Sequence, residues 1–148
     1  MWIFLLNIAS TWFMTGLIWF VQVVHYPLHG VVGSAEFPKY QALHMNWTSW
    51  VVIPPMLIEL LSTVYLIFNP ISGVSSNVWW ILAVMLMIVW ASTGLLQAPT
   101  HGLMLQEYSD VLHHRLLHSN WIRTIFWSAR GLLLLWILGV VIKEQGNV

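Results

Sequence analysis

Four uninterrupted apolar stretches dominate the 148-residue chain: about Ile3 to Val24, Thr48 to Phe68, Val78 to Ala98 and Ile122 to Ile142. Each holds about 20 residues, which as a helix rising ~1.5 Å per residue spans the ~30 Å hydrocarbon core of a bilayer. A membrane β-barrel needs instead segments of about ten residues that alternate apolar and polar. Composition agrees with helices in lipid, since 59% of residues are hydrophobic and 7% charged, far from the balance of a soluble domain. The expected fold is an all-α membrane protein, a single four-helix transmembrane bundle over residues 1–148, with the lipid bilayer as its surroundings. The first stretch has no basic leader and no small-residue cleavage site, so it reads as a retained span. The absence of cysteine excludes disulfides, thiolate ligands and iron–sulfur clusters. Zero formal charge and the lack of a basic run argue against nucleic acid as a partner. Trp47, Trp79, Trp80 and Trp121 fall at span ends, where indole suits the interface.

A histidine-bearing motif occurs twice. Pro27-Leu28-His29-Gly30 is followed by Leu43-His44-Met45-Asn46-Trp47, and Pro99-Thr100-His101-Gly102 by Leu117-His118-Ser119-Asn120-Trp121. The two histidines of each copy lie 15 and 17 positions apart. Self-similarity of this kind indicates two copies of one unit, about residues 1–70 and 78–148, each a parallel two-helix repeat. Four antiparallel spans put both connections that carry the motif on one membrane face. All seven histidines belong to that face, whereas the opposite connection, Asn69 to Asn77, reads as a plain turn.

Both connections on the histidine face are expected to contain a short interfacial helix, with Ser34 and Ser109 as N-caps and an acid, Glu36 or Asp110, in the first turn. Glu36, Tyr40 and His44 then match Asp110, His114 and His118 as a polar stripe at four-residue spacing. His25 and His29 match Gln97 and His101. Pro27 and Pro99 distort the local helix and free carbonyls, which lipid tolerates only where the segment lines a protected cavity.

Imidazole is the commonest side-chain ligand for transition metals, and bundles hold such ions with histidine and carboxylate from facing helices. His29, His44, His101 and His118 are the first expected ligands, completed by His25 and His114. Glu36, Tyr40 and Asp110 are expected to fill remaining positions or fix imidazole tautomers. Asn46 and Asn120 read as caps of the second and fourth spans, or as partners that orient an imidazole. A hydrogen-bonded polar cap that orders the connections accounts for the same histidines without metal. Iron is the expected metal, with copper or zinc suited by the same donors, and a bis-histidine haem b is the alternative. Inside the bilayer, Glu59 and Arg130 lie at similar depth and read as an ion pair. Alternatively, Arg123 or Arg130 holds an anionic substrate or haem propionate while Glu59 is a ligand or relay.

Val23-Val24-His25-Tyr26-Pro27-Leu28 and Asn120-Trp121-Ile122-Arg123-Thr124, with the two Pro/His turns, resemble a group of small four-span bacterial membrane proteins. Their layout is similar to that of the anthrone-oxygenase-like membrane family. The likeness covers nearly the whole chain in span order and the histidine-face motifs in residue detail, and it assigns no catalytic residue. More distantly, His25-x-x-x-His29 and His113-His114-x-x-x-His118 are similar to the histidine boxes of membrane fatty-acid desaturases and hydroxylases, which hold two irons. These readings lead to a metal-dependent oxidoreductase of the bacterial inner membrane that acts on a small hydrophobic substrate. A redox partner or self-association is open to it, and an electron-transfer protein or a non-catalytic accessory subunit are the alternatives. Lys39, Arg115 and Arg123 near the histidine face, against Lys143 near the other, orient that face to the cytoplasm.

Overall fold

An apolar segment in lipid must satisfy its backbone polar groups internally, which a helix does within the one segment, and this chain does so four times. The computed structural model describes residues 1–146. The first span joins α1 (Trp2–Phe20), a π-helical turn (Val21–His25) and α2 (Tyr26–His29), and the second is α3 (Phe37–Phe68). The third joins α4 (Ser76–Ser92), a second π-helical turn (Thr93–Gln97) and α5 (Ala98–Leu103), and the fourth is α6 (Asp110–Gly146). All four are long and apolar enough to cross a membrane. The chain is an all-α four-helix bundle and an integral membrane protein, and the order of elements in its first half recurs in its second.

The paired π turns come from the paired prolines. Proline has no N–H and its ring clashes with the carbonyl four residues back. One extra residue ahead of each ring relieves the clash, so Tyr26 N–H reaches back to Val21 O and Ala98 N–H to Thr93 O. Such single-turn π segments often mark functional sites.

α3 and α6 are 32 and 37 residues long, more than the roughly 20 that span lipid. Their excess lies at the histidine end. The stretches expected as separate interfacial helices are instead the first turns of α3 and α6, because neither Gly nor Pro interrupts Tyr40 to Thr48 or His114 to Ile122. For the same reason Asn46 and Asn120 cap nothing. Ser109 does cap α6, accepting from Leu112 N–H at 3.4 Å. Ser34 does not cap α3, whose preceding residue is Glu36 with no side-chain cap. Beyond α3 the chain turns at 69–75 through Gly73, whose φ of 78° is the single positive value among the described residues.

α1 packs along α3 and α6, and α4 along α6, while α3 and α4 touch less than these neighbouring pairs. Three apolar layers stack inside. Phe4, Leu66, Trp79, Leu82 and Leu134 fill the end away from the histidines. Met14, Ile18, Met56, Val89 and Trp127 form the middle, and Tyr26, Phe37, Met104 and Leu116 close the histidine end. Trp79 is therefore a core residue, edge-on to Phe4 at 5.8 Å, whereas Trp47, Trp80 and Trp121 are exposed as interface anchors are.

A polar layer separates the first two apolar ones. Glu59 and Arg130, both fully buried, lie 3.4 Å apart (Oε1 to Nε). Thr11 Oγ1 donates to Glu59 Oε1 (2.6 Å) and Trp127 Nε1 to Oε2 (3.0 Å). Arg130 donates to Leu82 O (2.6 Å), Asn7 Oδ1 (3.1 Å) and Thr63 Oγ1 (2.7 Å). Asn7 in turn donates to Ser62 and Thr63. This one network ties α1, α3, α4 and α6 together where water cannot compete.

Candidate metal centre and adjoining cavity

Histidines from three spans meet between the middle and upper apolar layers. His25 and His29 come from the π turn and α2, His44 from the inner side of α3, and His101 from α5. His25 Nε2 lies 3.0 Å from His44 Nδ1 and 3.4 Å from His29 Nε2. One ring nitrogen from each of these three residues lies within 4.8 Å of the other two. Two nitrogens bound to one ion at about 2.0–2.1 Å sit about 3.0 Å apart at a right angle and about 3.4 Å at a tetrahedral angle. The two shorter spacings match ligands sharing an ion, and equally hydrogen bonds between neutral imidazoles. His29 is fully buried, and its Nδ1 has no hydrogen-bond partner.

His101 stands against this trio, its ring 5.0 Å from that of His44, but both of its nitrogens are engaged. The Gln41 amide donates to Nδ1 (2.8 Å) and to the His101 carbonyl (3.1 Å). Nδ1 is thereby an acceptor, and Nε2–H is left to donate to Tyr26 Oη at 2.9 Å. His101 thus lines the site with both ring nitrogens bonded to protein groups, and within the trio His44 Nδ1 is also within hydrogen-bond distance of Thr48 Oγ1. His113 is likewise occupied. A carbonyl can only accept, so Nε2–H donates to Tyr26 O (2.7 Å) and Nδ1 accepts from Tyr108 Oη (3.0 Å). Burial and the Asp110 carboxylate push the Tyr108 phenol upward. Gly30 makes room: a Cβ there would lie 3.2 Å from His113 Cε1.

His114 and His118 do not join the cluster. The inward stripe of α6 runs through His113, Leu116, Asn120, Arg123, Trp127 and Arg130, and His114 and His118 stack on each other outside it, centroids 6.3 Å apart. Glu36 and Asp110 are exposed at the helix starts, where they complement the dipoles. Tyr40 is at the site, its ring edge-on to His29 at 5.3 Å. Asn46 is exposed. Asn120 is fully buried, donating to Gln22 Oε1 (2.8 Å) and accepting from Arg123 Nε (2.9 Å) and Nη2. Sequence reading passed over Gln22, Tyr26, Gln41 and Thr48, the last 3.1 Å from His44 Nδ1. Glutamine in an apolar span is itself a signal, because lipid leaves it only protein partners.

A cavity of about 160 Å³ lies beside the cluster. Met14, Ile18, Val52, Met56 and Trp127 make its apolar wall, and His44, His101, Tyr26 and Arg123 its polar end. Ser49 and Thr93 also line it, on α3 and the second π turn, where the second and third spans pack more loosely than the other neighbouring spans do. Comparison with protein-family models, curated proteins and solved structures finds no match to this chain.

Proposed function

We propose that the protein is a membrane metalloprotein in which His25, His29 and His44 hold one transition-metal ion, iron before copper or zinc, and that it acts as an oxidoreductase on a small hydrophobic compound. The convergence of three ring nitrogens at ligand-like separations carries this reading. An iron or copper ion there would supply one-electron redox chemistry, which zinc would not. The protein's own groups would do the rest. His101, clamped by Gln41 and Tyr26, fixes one wall of the cavity; Phe37 and Tyr26 keep water from the buried side of His29; and the cavity places an apolar substrate next to His44. His25 and His44 are in direct contact, so no porphyrin lies between that pair; a haem b with one axial histidine from each half is the alternative that the spectrum separates.

Protein purified without a histidine tag is expected to carry about one iron per chain by elemental analysis and to show no Soret band. A stoichiometric Soret band would establish the haem alternative, and no bound metal would leave an accessory subunit whose histidines only order the connections. The same reading places the histidine face in the cytoplasm of a bacterial inner membrane. Arg123 is inside the bundle, so the charge bias rests on Lys39 and Arg115 against Lys143. A C-terminal reporter that works only in the cytoplasm should stay silent, and activity would reverse the orientation.

A further inference from the structure

Arg123 is nine-tenths buried, at 9% exposure, and lines the cavity. Its Nε and Nη2 are spent on Asn120 Oδ1 and, at 3.0 Å, on Tyr26 Oη. Both acceptors are neutral, and Asn120 is held in turn by Gln22 and through it by Leu117 O. Nη1 has no acceptor among the described residues. Nor does any carboxylate there balance the charge, for the single ion pair is Glu59 with Arg130. A buried cation without a counter-charge costs several kcal/mol, yet this one is held in place by two neutral side chains, Asn120 and Tyr26, and lines a largely apolar space.

We infer that Arg123 is the anion-recognition group of this cavity and that its ligand is a lipophilic monocarboxylate with an apolar part of about one ring, admitted between α3 and the third span. One uncompensated positive charge matches one negative charge, and a guanidinium N–H to a carboxylate makes a strong charge-assisted bond. An apolar cavity of about 150 Å³ holds a benzene ring, and this one has about 160 Å³. A whole two-tailed phosphodiester lipid exceeds that volume, and the phosphonate in the test stands for a headgroup that enters alone. The inference names the substrate class for the proposed oxidoreductase, but binding itself needs no metal.

The test is a fluorine NMR titration of chelator-treated protein in detergent, with empty micelles as reference, using 4-fluorobenzoate, 4-fluorobenzyl alcohol and 4-fluorophenylphosphonate. Saturable binding of the benzoate at one per chain is expected, at least tenfold tighter than the alcohol or the phosphonate. Arg123→Gln should erase the preference for benzoate over alcohol. Val52→Phe, which fills the cavity and leaves Arg123 untouched, should weaken both ligands. Equal affinity of wild-type protein for benzoate and alcohol would overturn the inference even if Arg123→Gln does not fold, as would tighter binding of the phosphonate or benzoate binding unaffected by Val52→Phe. Because the protein is metal-free throughout, failure here is distinct from failure of the metal reading.

Discussion

Arg130→Ala is expected to destabilise the bundle by about 3–5 kcal/mol, enough to unfold much of it in detergent. The substitution leaves the Glu59 carboxylate buried without its cation, and this penalty for an orphaned charge exceeds what the pair contributes when intact. It also removes a donor from acceptors on three other helices, Leu82 O, Asn7 Oδ1 and Thr63 Oγ1, the last of which keeps only Asn7. Glu59→Ala should cost a similar amount by the converse route. The double variant Glu59→Met with Arg130→Met should recover a large part of the loss, because it removes both charges and refills the volume. Unfolding of the three variants in SDS or by heat reads the cycle directly. Single variants as stable as the wild type would mean that the pair does not hold the four helices together.

The second large effect is on metal. His44→Ala and His25→Ala should each lower bound metal at least tenfold, because each deletes a nitrogen of the converging set. His114→Ala and His118→Ala should leave it unchanged, both lying outside the inward stripe of α6. His113→Ala should also retain the ion, since both nitrogens of that ring are bonded to protein groups. Gln41→Leu should act at one remove, freeing the His101 ring without deleting a ligand, so it should change the spectrum of the bound ion more than its amount. Loss of metal from His118→Ala equal to that from His44→Ala would restore the symmetrical site that the duplicated motif suggests.

The gap between that motif and the site found has a physical origin. The spans were legible because lipid demands about 20 apolar residues and no alternation, and Glu59 with Arg130 because charges at one depth in a bilayer need each other. Gathering the histidines on one face followed from counting spans. The rotation of each helix was less legible. Over most of their length the helices are apolar on both the lipid and the protein side; on α6 the signal was present and passed over, because Asn120, Arg123 and Arg130 mark a stripe that continues to His113 and leaves His118 off it. His44 and His118 look equivalent in the repeat, although α3 turns His44 inward and α6 turns His118 away. The π turns were hidden for a related reason. Pro27 and Pro99 announce a distortion, but which residues absorb it, and hence where His25 points, depends on how Tyr26 and Ala98 find acceptors five residues back. The clamps on His101 and His113 depend on contacts as distant in sequence as Tyr26 with His113, which no local pattern records.

Metal K-edge X-ray absorption on untagged, purified protein tests the three-histidine centre most directly. The account predicts a stoichiometric ion whose inner shell contains three imidazole nitrogens at about 2.0–2.2 Å, with that imidazole signal falling in His25→Ala. An ion with no imidazole scattering, or an inner shell that His25→Ala leaves unchanged, would contradict it.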